Sequence, residues 1–355
     1  MKIALFLGAG ASVQFGNPTT KEFKEQLIET NAVDKRIRPI LNLKSLPDIE
    51  YLLQCLKQIL DIGNDPFGKF LNNEEFDIVM RSDPEITLRD LFSLGSGPYN
   101  QIMDNLFQTY QIEDEKKPLL KNFFKTLFDL ISKYSDSIEV GTTNYDLAVE
   151  TFCNLPATDY QCVDGFKMVG LNFQWNSKSL NENFEKSREK FVYLHKIHGS
   201  LNWQGKDSAL RKYGDIPNFV PEGSGSPSTV IAPTLSPKDA YSKQPFSFLL
   251  QNFSEKLQNS DVCIVIGFSF RDEDISQYFR QFVINKKHMI IVSPSCFRNY
   301  AQNLFHLKND MTDEKIKEWA TSHARAENRN VSFIDLPFNS DNNKEVFKKI
   351  ESKLK

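Results

Sequence analysis

The chain has 355 residues and a formal net charge of −3, from 43 Lys and Arg against 46 Asp and Glu. That length allows two or three domains, or one large domain carrying an insertion. The near-neutral balance excludes a general nucleic-acid or membrane-surface binder, because those functions need a basic field.

The first expected element is the apolar run Ile3 to Leu7. With Lys2 before it and an Ala9-x-Ala11 pattern after it, the run imitates a secretory signal, but it is shorter than the ~7–15 apolar residues such signals need. It reads as a buried strand. The long stretch before the next strand far exceeds the dozen or so residues a crossover needs, so a helical insertion is expected over 24–135. The last helix of that stretch follows Pro118, with the stripe Leu119, Leu120, Phe123, Phe124, Leu127, Phe128 and Ile131 at the helical period. Further strands are expected at Ser137 to Val140, Val192 to Ile197, Thr229 to Ala232, Val262 to Ile266, Met289 to Val292 and Val331 to Ile334. Helices are expected from Phe246 to Leu257 and from Asp313 to Glu327, the second carrying His323 on its apolar face as a structural residue. The segment Asp159 to Glu189 shows little periodicity and reads as a long active-site loop. Pro221 to Ser228 reads as a flexible surface loop.

Near-continuous apolar strands alternating with helices predict a doubly wound α/β fold with a mostly parallel sheet and a large helical insertion after the first strand. The expected organisation is one domain over 1–310, interrupted by 24–135, with a helix–strand–helix extension over 311–355 packed on it. The 29 phenylalanines make part of the core aromatic. The densest apolar run, Val262 to Phe270, is far shorter than the ~20 residues of a membrane span. The five cysteines, Cys55, Cys153, Cys162, Cys263 and Cys296, contain no CxxC pair. That spacing fits a reducing cytoplasm and excludes a four-cysteine zinc module from this chain, so no metal is expected.

Five motifs lie just beyond the carboxyl ends of expected strands, where open α/β sheets bind ligands. The first, Gly8-Ala9-Gly10-Ala11-Ser12 followed by Gly16-Asn17-Pro18-Thr19, suits a tight turn that approaches a phosphate with its amides. It is not the dehydrogenase fingerprint, because Val13 stands where the third glycine belongs. Thr19 with Glu22 also forms a capping box. The second is Gly141-Thr142-Thr143-Asn144-Tyr145-Asp146, in which Asn144 or Asp146 can also be a plain helix cap. The third runs from Leu194 through His195 and His198 to Trp203. Residues three apart on a strand face opposite ways, so the two histidines are poorly placed to share a metal. His198, at the strand end, is the better candidate for proton transfer. The fourth and fifth are Ile266-Gly267-Phe268-Ser269-Phe270-Arg271-Asp272-Glu273-Asp274 and Val292-Ser293-Pro294-Ser295.

With GAGAS, TTNYD, IHGSLNW and IGFSFRDED in that order, the chain resembles the sirtuin-like domains of prokaryotic NAD-hydrolysing antiphage proteins, over roughly Met1 to Ser295. Where sirtuin deacylases have a GIPDFR-like stretch, this chain has Gly16-Asn17-Pro18-Thr19-Thr20, and it lacks their four-cysteine zinc ribbon. Both departures favour the defence branch over the deacylases. The resemblance implies a sirtuin-like, Rossmann-type fold and an NAD+ glycohydrolase that releases nicotinamide and ADP-ribose. It implies that Gly8 through Ser12 cradle the pyrophosphate and that Gly267, Phe268 and Ser269 border the cofactor. Thr19, Thr143 and Ser293 complete the expected cofactor-binding set. Asn144 and His198 match the catalytic pair, and Asp146 either stabilises positive charge or fixes its loop. A cofactor-destroying enzyme needs restraint, so a homo-oligomer, a separate sensor or activator (an ATPase, Argonaute or nucleotide-sensing subunit), or both, are expected. The insertion and the segment after Asn309 are the expected contact surfaces. The alternatives are a deacylase or ADP-ribosyl transferase, and a nucleotide-sensing module without catalysis.

Overall fold

A computed structural model of the chain describes residues 1–30, 32–33, 49, 52–53, 56, 97–182, 190–206, 209–214, 216, 220, 228–231, 241–308, 311–327, 329–337 and 341–355. Most of the expected helical insertion, most of the expected Pro221 to Ser228 loop, the end of the expected Asp159 to Glu189 loop, Cys55 and Ala232 lie outside the described residues.

In chain order the described strands are β1 (Ile3–Leu7), β2 (Ile138–Thr142), β3 (Tyr160–Val163), β4 (Phe166–Val169), β5 (Asn172–Trp175), β6 (Lys190–Lys196), β7 (Gly199–Gln204), β8 (Arg211–Lys212), β9 (Ser228–Val230), β10 (Val262–Ile266), β11 (His288–Val292) and β12 (Val331–Ile334). The longer helices are α1 (Thr20–Glu29), α2 (Gly97–Thr109), α3 (Lys117–Ser132), α4 (Ala148–Asn154), α5 (Phe246–Gln258), α6 (Glu273–Ile284), α7 (Asp313–Ala326) and α8 (Asn343–Leu354).

Seven strands form a sheet in the order β12–β11–β10–β1–β2–β6–β3, and every pair in it is parallel. Strand alternation sends successive side chains to opposite faces, and β1 shows the result. Ile3, Leu5 and Leu7 join one apolar layer with Leu120, Phe124 and Phe128 of α3 and with Val346 and Ile350 of α8. Ala4 and Phe6 join the other, with Phe253 of α5, Phe279 of α6 and Ile316 of α7. Helices therefore cover both faces, as the unbroken apolar strands predict. The α3 stripe, expected to close the insertion, packs on the sheet itself. A separate cluster built on α1 and α2, including Phe23, Leu27, Ile102, Phe107 and Tyr110, reaches the sheet's edge through Tyr145 and Leu201.

Two expectations are corrected. The segment read as a long loop from Asp159 holds β3 at the margin of the main sheet, then β4 and β5. The strand expected at Thr229 is β9, and it belongs to a second, antiparallel sheet ordered β4–β5–β8–β7–β9. These short strands mix polar and apolar residues and are partly exposed, so they carry no clear period of two. The chain passes from one sheet to the other between β6 and β7. There Gly199 adopts φ +82, and a Cβ on it would run into the Thr229 carbonyl oxygen. That turn leaves His198 at the carboxyl edge of the main sheet, with its own carbonyl accepting from Ile231 N at 2.8 Å.

Candidate functional site

From β1 the chain crosses one way to β2, β6 and β3, while β10, β11 and β12 lie on the other side. The reversal beside β1 is a topological switch point, where loops diverge and leave a crevice at the carboxyl ends of the strands. A cavity of about 370 Å³ opens there, within the ~300–1,000 Å³ of small-molecule sites. Its walls take Asn144 and Thr143 from the loop after β2, His198 from the end of β6, Gly267, Phe268 and Ser269 from the loop after β10, and Ser293 from the loop after β11. Ala9, Gly10 and Thr19 also line it. The structure thus brings Asn144 and His198 to one cavity.

Four of the expected residues are not on the wall. Gly8 is absent from its lining, while Ala11, Ser12 and Asp146 line a much smaller neighbouring pocket with Lys196, Glu150 and Asn144. Asp146 is buried, and its Oδ1 accepts from Ala148 N at 3.0 Å, a turn-fixing contact at the start of α4. The glycine-rich turn also differs from an open phosphate cradle. The amide of Gly8 donates to Ile266 O, that of Gly10 to Gly267 O, that of Ala11 to Gly8 O and that of Ser12 to Ala9 O, all within 2.9–3.0 Å. These donors are committed to protein. The glycines serve the close approach of two loops: a Cβ on Gly8 would lie 2.5 Å from Phe268 Cα, and one on Gly267 would lie 2.5 Å from Gly10 C.

Gly267 also adopts φ +66, a conformation that strains a residue with a Cβ. We therefore expect Gly267→Ala to destabilise the protein by at least about 1–3 kcal/mol, the usual range for one strained backbone residue. Denaturant unfolding measures this, and a wild-type midpoint would show that the two loops are not locked together.

The Asn144 amide nitrogen donates to Gly8 O and to Ser12 Oγ, both at 3.0 Å. Its backbone amide donates to Thr142 Oγ1, which donates in turn to Leu7 O. Both amide hydrogens are therefore occupied, and Oδ1 is the atom left to meet a ligand as an acceptor. His198 is held by two residues that local sequence patterns do not reveal. Its Nε2 lies 2.6 Å from the Tyr241 hydroxyl and 3.2 Å from Asp272 Oδ2, and the hydroxyl donates to the same Oδ2 at 2.6 Å. Asp272 is the N-cap of α6, with Oδ1 accepting from Ile275 N. Burial would push the Asp272 carboxyl up, but the His198 and Tyr241 hydrogen bonds hold it below the ordinary aspartate value. Burial, reinforced by the Asp272 charge, pushes the Tyr241 phenol well up, so both residues keep their usual protonation at neutral pH. Asp272 stands within the fourth motif, where nothing local marks it as a partner of His198, and Tyr241 carries no local signal.

Among the described residues Arg271 is the sole Lys or Arg lining the cavity, and its guanidinium donates to Thr20 Oγ1 at 3.2 Å. Thr20 begins α1 behind the cap Thr19, whose backbone amide and hydroxyl both donate to Glu22. The negative Glu22 offsets the positive end of that helix, so among the described residues Arg271 is the main positive group on the cavity wall. His195 points away from the cavity. It is wholly buried, with Nε2 3.3 Å from Glu139 Oε2, as expected for a residue three places from His198 on a strand. Among the described residues no group of three or more His, Cys, Asp or Glu is placed to hold a metal.

Residues 138–295, a little under half of the chain, match the family model of the SIR2-like domain. A solved structure described as a Sir2 homologue–NAD complex aligns with 100% of this chain and 91% of its own, at 12% identity and a TM-score of 0.41. A triple mutant of Sir2 homologues bound to 2'-O-acetyl ADP-ribose aligns with 100% of this chain and 93% of its own, at 13% identity and a TM-score of 0.39. No curated protein matches the chain.

Proposed function

Because residues 138–295 carry a SIR2-like domain, we propose that the chain binds NAD+ in the cavity beside β1 and hydrolyses it to nicotinamide and ADP-ribose. One observation carries this reading: Asn144 and His198, far apart in sequence, line the same cavity at the switch point. Nicotinamide departs as a neutral base from a cationic N-glycoside, so the transition state is close to an oxocarbenium ion at the anomeric carbon. The protein has to hold the ribose and a water more than it has to push electrons. In this reading Asn144 Oδ1 accepts from the water or from a ribose hydroxyl. The water oxygen bonds to the anomeric carbon, the carbon–nitrogen bond breaks with its pair going to the nicotinamide ring, and His198 takes the water's proton. Arg271 faces the diphosphate, in place of the Gly8, Gly10, Ala11 and Ser12 amides, which are committed to protein carbonyls. Asp146 holds the loop.

The order of the four motifs and the missing four-cysteine zinc module support a cofactor-depleting effector of antiphage defence, rather than a deacylase, in a cytoplasmic setting. We further propose that activity is restrained by homo-oligomerisation, by a separate sensor protein, or by both. The test is incubation of the purified chain with NAD+, alone and with the products of neighbouring genes, followed by mass spectrometry. Free ADP-ribose and nicotinamide are expected, and Asn144→Ala should abolish most of their formation. An acyl-ADP-ribose or a modified protein would replace this reading with group transfer, and tight NAD+ binding without any product would replace it with sensing.

A further inference from the structure

Every hydrogen bond of the His198 ring among the described residues gathers on one nitrogen. Nε2, the Tyr241 hydroxyl and Asp272 Oδ2 form a triangle with sides of 2.6, 2.6 and 3.2 Å. A phenol has a single proton, and an ionised carboxylate is a stronger acceptor than a neutral imidazole nitrogen. The Tyr241 proton therefore goes to Asp272, and the hydroxyl oxygen can only accept from His198. An unprotonated Nε2 would set its lone pair against two oxygens at once. We infer that Tyr241 and Asp272 hold the neutral His198 ring as its Nε2–H tautomer, so that Nδ1 is the nitrogen that takes a proton and the two residues position the base. The role in catalysis rests on the function proposed above, whereas the tautomer rests on the triangle alone.

The arrangement is held from outside the site. Asp272 Oδ1 is fixed by Ile275 N at the start of α6, which leaves Oδ2 turned to the ring. The Tyr145 ring lies beside the imidazole, its centroid 6.2 Å away, and its own hydroxyl is anchored to Ile231 O at 2.6 Å. The ring thus has an anchored aromatic neighbour and a fixed edge, and the tautomer follows from that edge.

Asp272→Asn is the decisive variant. Asn caps helices about as well as Asp, so α6 keeps its first turn, but the new amide can donate to Nε2 and so favour the Nδ1–H form. For NAD+ cleavage kcat should fall about 10²–10⁴-fold, as when a general base is lost, while KM changes little. Tyr241→Phe leaves the carboxylate free to accept from Nε2–H directly, and should lose far less. Nitrogen-15 spectra of the full chain with labelled histidine, assigned by comparison with His198→Gln, read the tautomer without any turnover. The expected wild-type signal is Nε2–H, changing to Nδ1–H in Asp272→Asn. An Nδ1–H signal in the wild type overturns the inference whether or not the chain cleaves NAD+, and equal kcat losses in the two variants overturn the positioning role. An Nε2–H signal in a chain that never cleaves NAD+ upholds the tautomer and removes the proposed function instead.

Discussion

Replacing His198 with Ala should lower the rate of NAD+ cleavage about 10²–10⁴-fold, the usual worth of a positioned general base, while dinucleotide binding persists. Binding should survive because the imidazole is one of many groups on the cavity wall, and its hydrogen bonds go to Tyr241 and Asp272. The loss should appear in kcat. His198→Gln offers a second route to the same question, since its amide can still donate to the Asp272 carboxylate yet cannot take a proton. Calorimetry with ADP-ribose separates binding from turnover. Full activity in a folded His198→Gln protein would remove this residue from the chemistry.

The second large effect concerns stability. Lys196 is 1% exposed, and its ammonium donates to Glu150 Oε1 at 3.0 Å, to Tyr145 O at 3.2 Å and to Asp146 O. Those two carbonyls follow Asn144 in the chain, so one buried cation holds the loop that carries it. Removing one partner of a buried ion pair typically costs about 3–5 kcal/mol, because the other charge is left without compensation. We expect Lys196→Met to lose that much in denaturant unfolding. The pH dependence has a definite sign. Burial raises the Glu150 carboxyl above the ordinary glutamate value against the pull of Lys196, and a group raised in the folded state stabilises below its unfolded value and loses that contribution as pH rises through the folded one. The deficit of Lys196→Met should therefore be smallest in mild acid and grow toward neutrality. Adding Glu150→Leu should recover part of the stability but not the NAD+ cleavage, since the Tyr145 and Asp146 carbonyls remain unheld. A Lys196→Met protein as stable as the wild type would contradict this account.

How much of the molecule could be read in advance differs element by element. The bounds of β1 and β10 match the apolar runs residue for residue, because an interior parallel strand is covered on both faces and its sequence has to be apolar at nearly every place. Those of β12 match as well, although it is an edge strand with only Ile334 buried. The stripe of α3 is legible for a similar reason, with Phe123, Phe124, Leu127 and Phe128 all buried. β4, with Met168 and Val169 exposed, follows neither pattern. A strand in a small, half-solvated sheet is chosen by its neighbours more than by its own period. The clustering of Asn144, His198, Gly267 and Ser293 was also foreseeable, since each follows a strand of the same parallel sheet.

Sequence alone therefore settled the alternating α/β plan and which strand ends carry polar groups, because both depend on side-chain periods and turn chemistry within short windows. Only the tertiary structure decided what those groups face. It committed the Gly8, Gly10, Ala11 and Ser12 amides to carbonyls of the end of β10, the loop after it and their own turn, set Asp146 off the cavity wall, and delivered Tyr241 and Asp272 to one nitrogen of His198. Such partnerships join residues 43 and 74 positions apart, and a hydrogen bond at that separation depends on how whole layers pack, which no local pattern encodes.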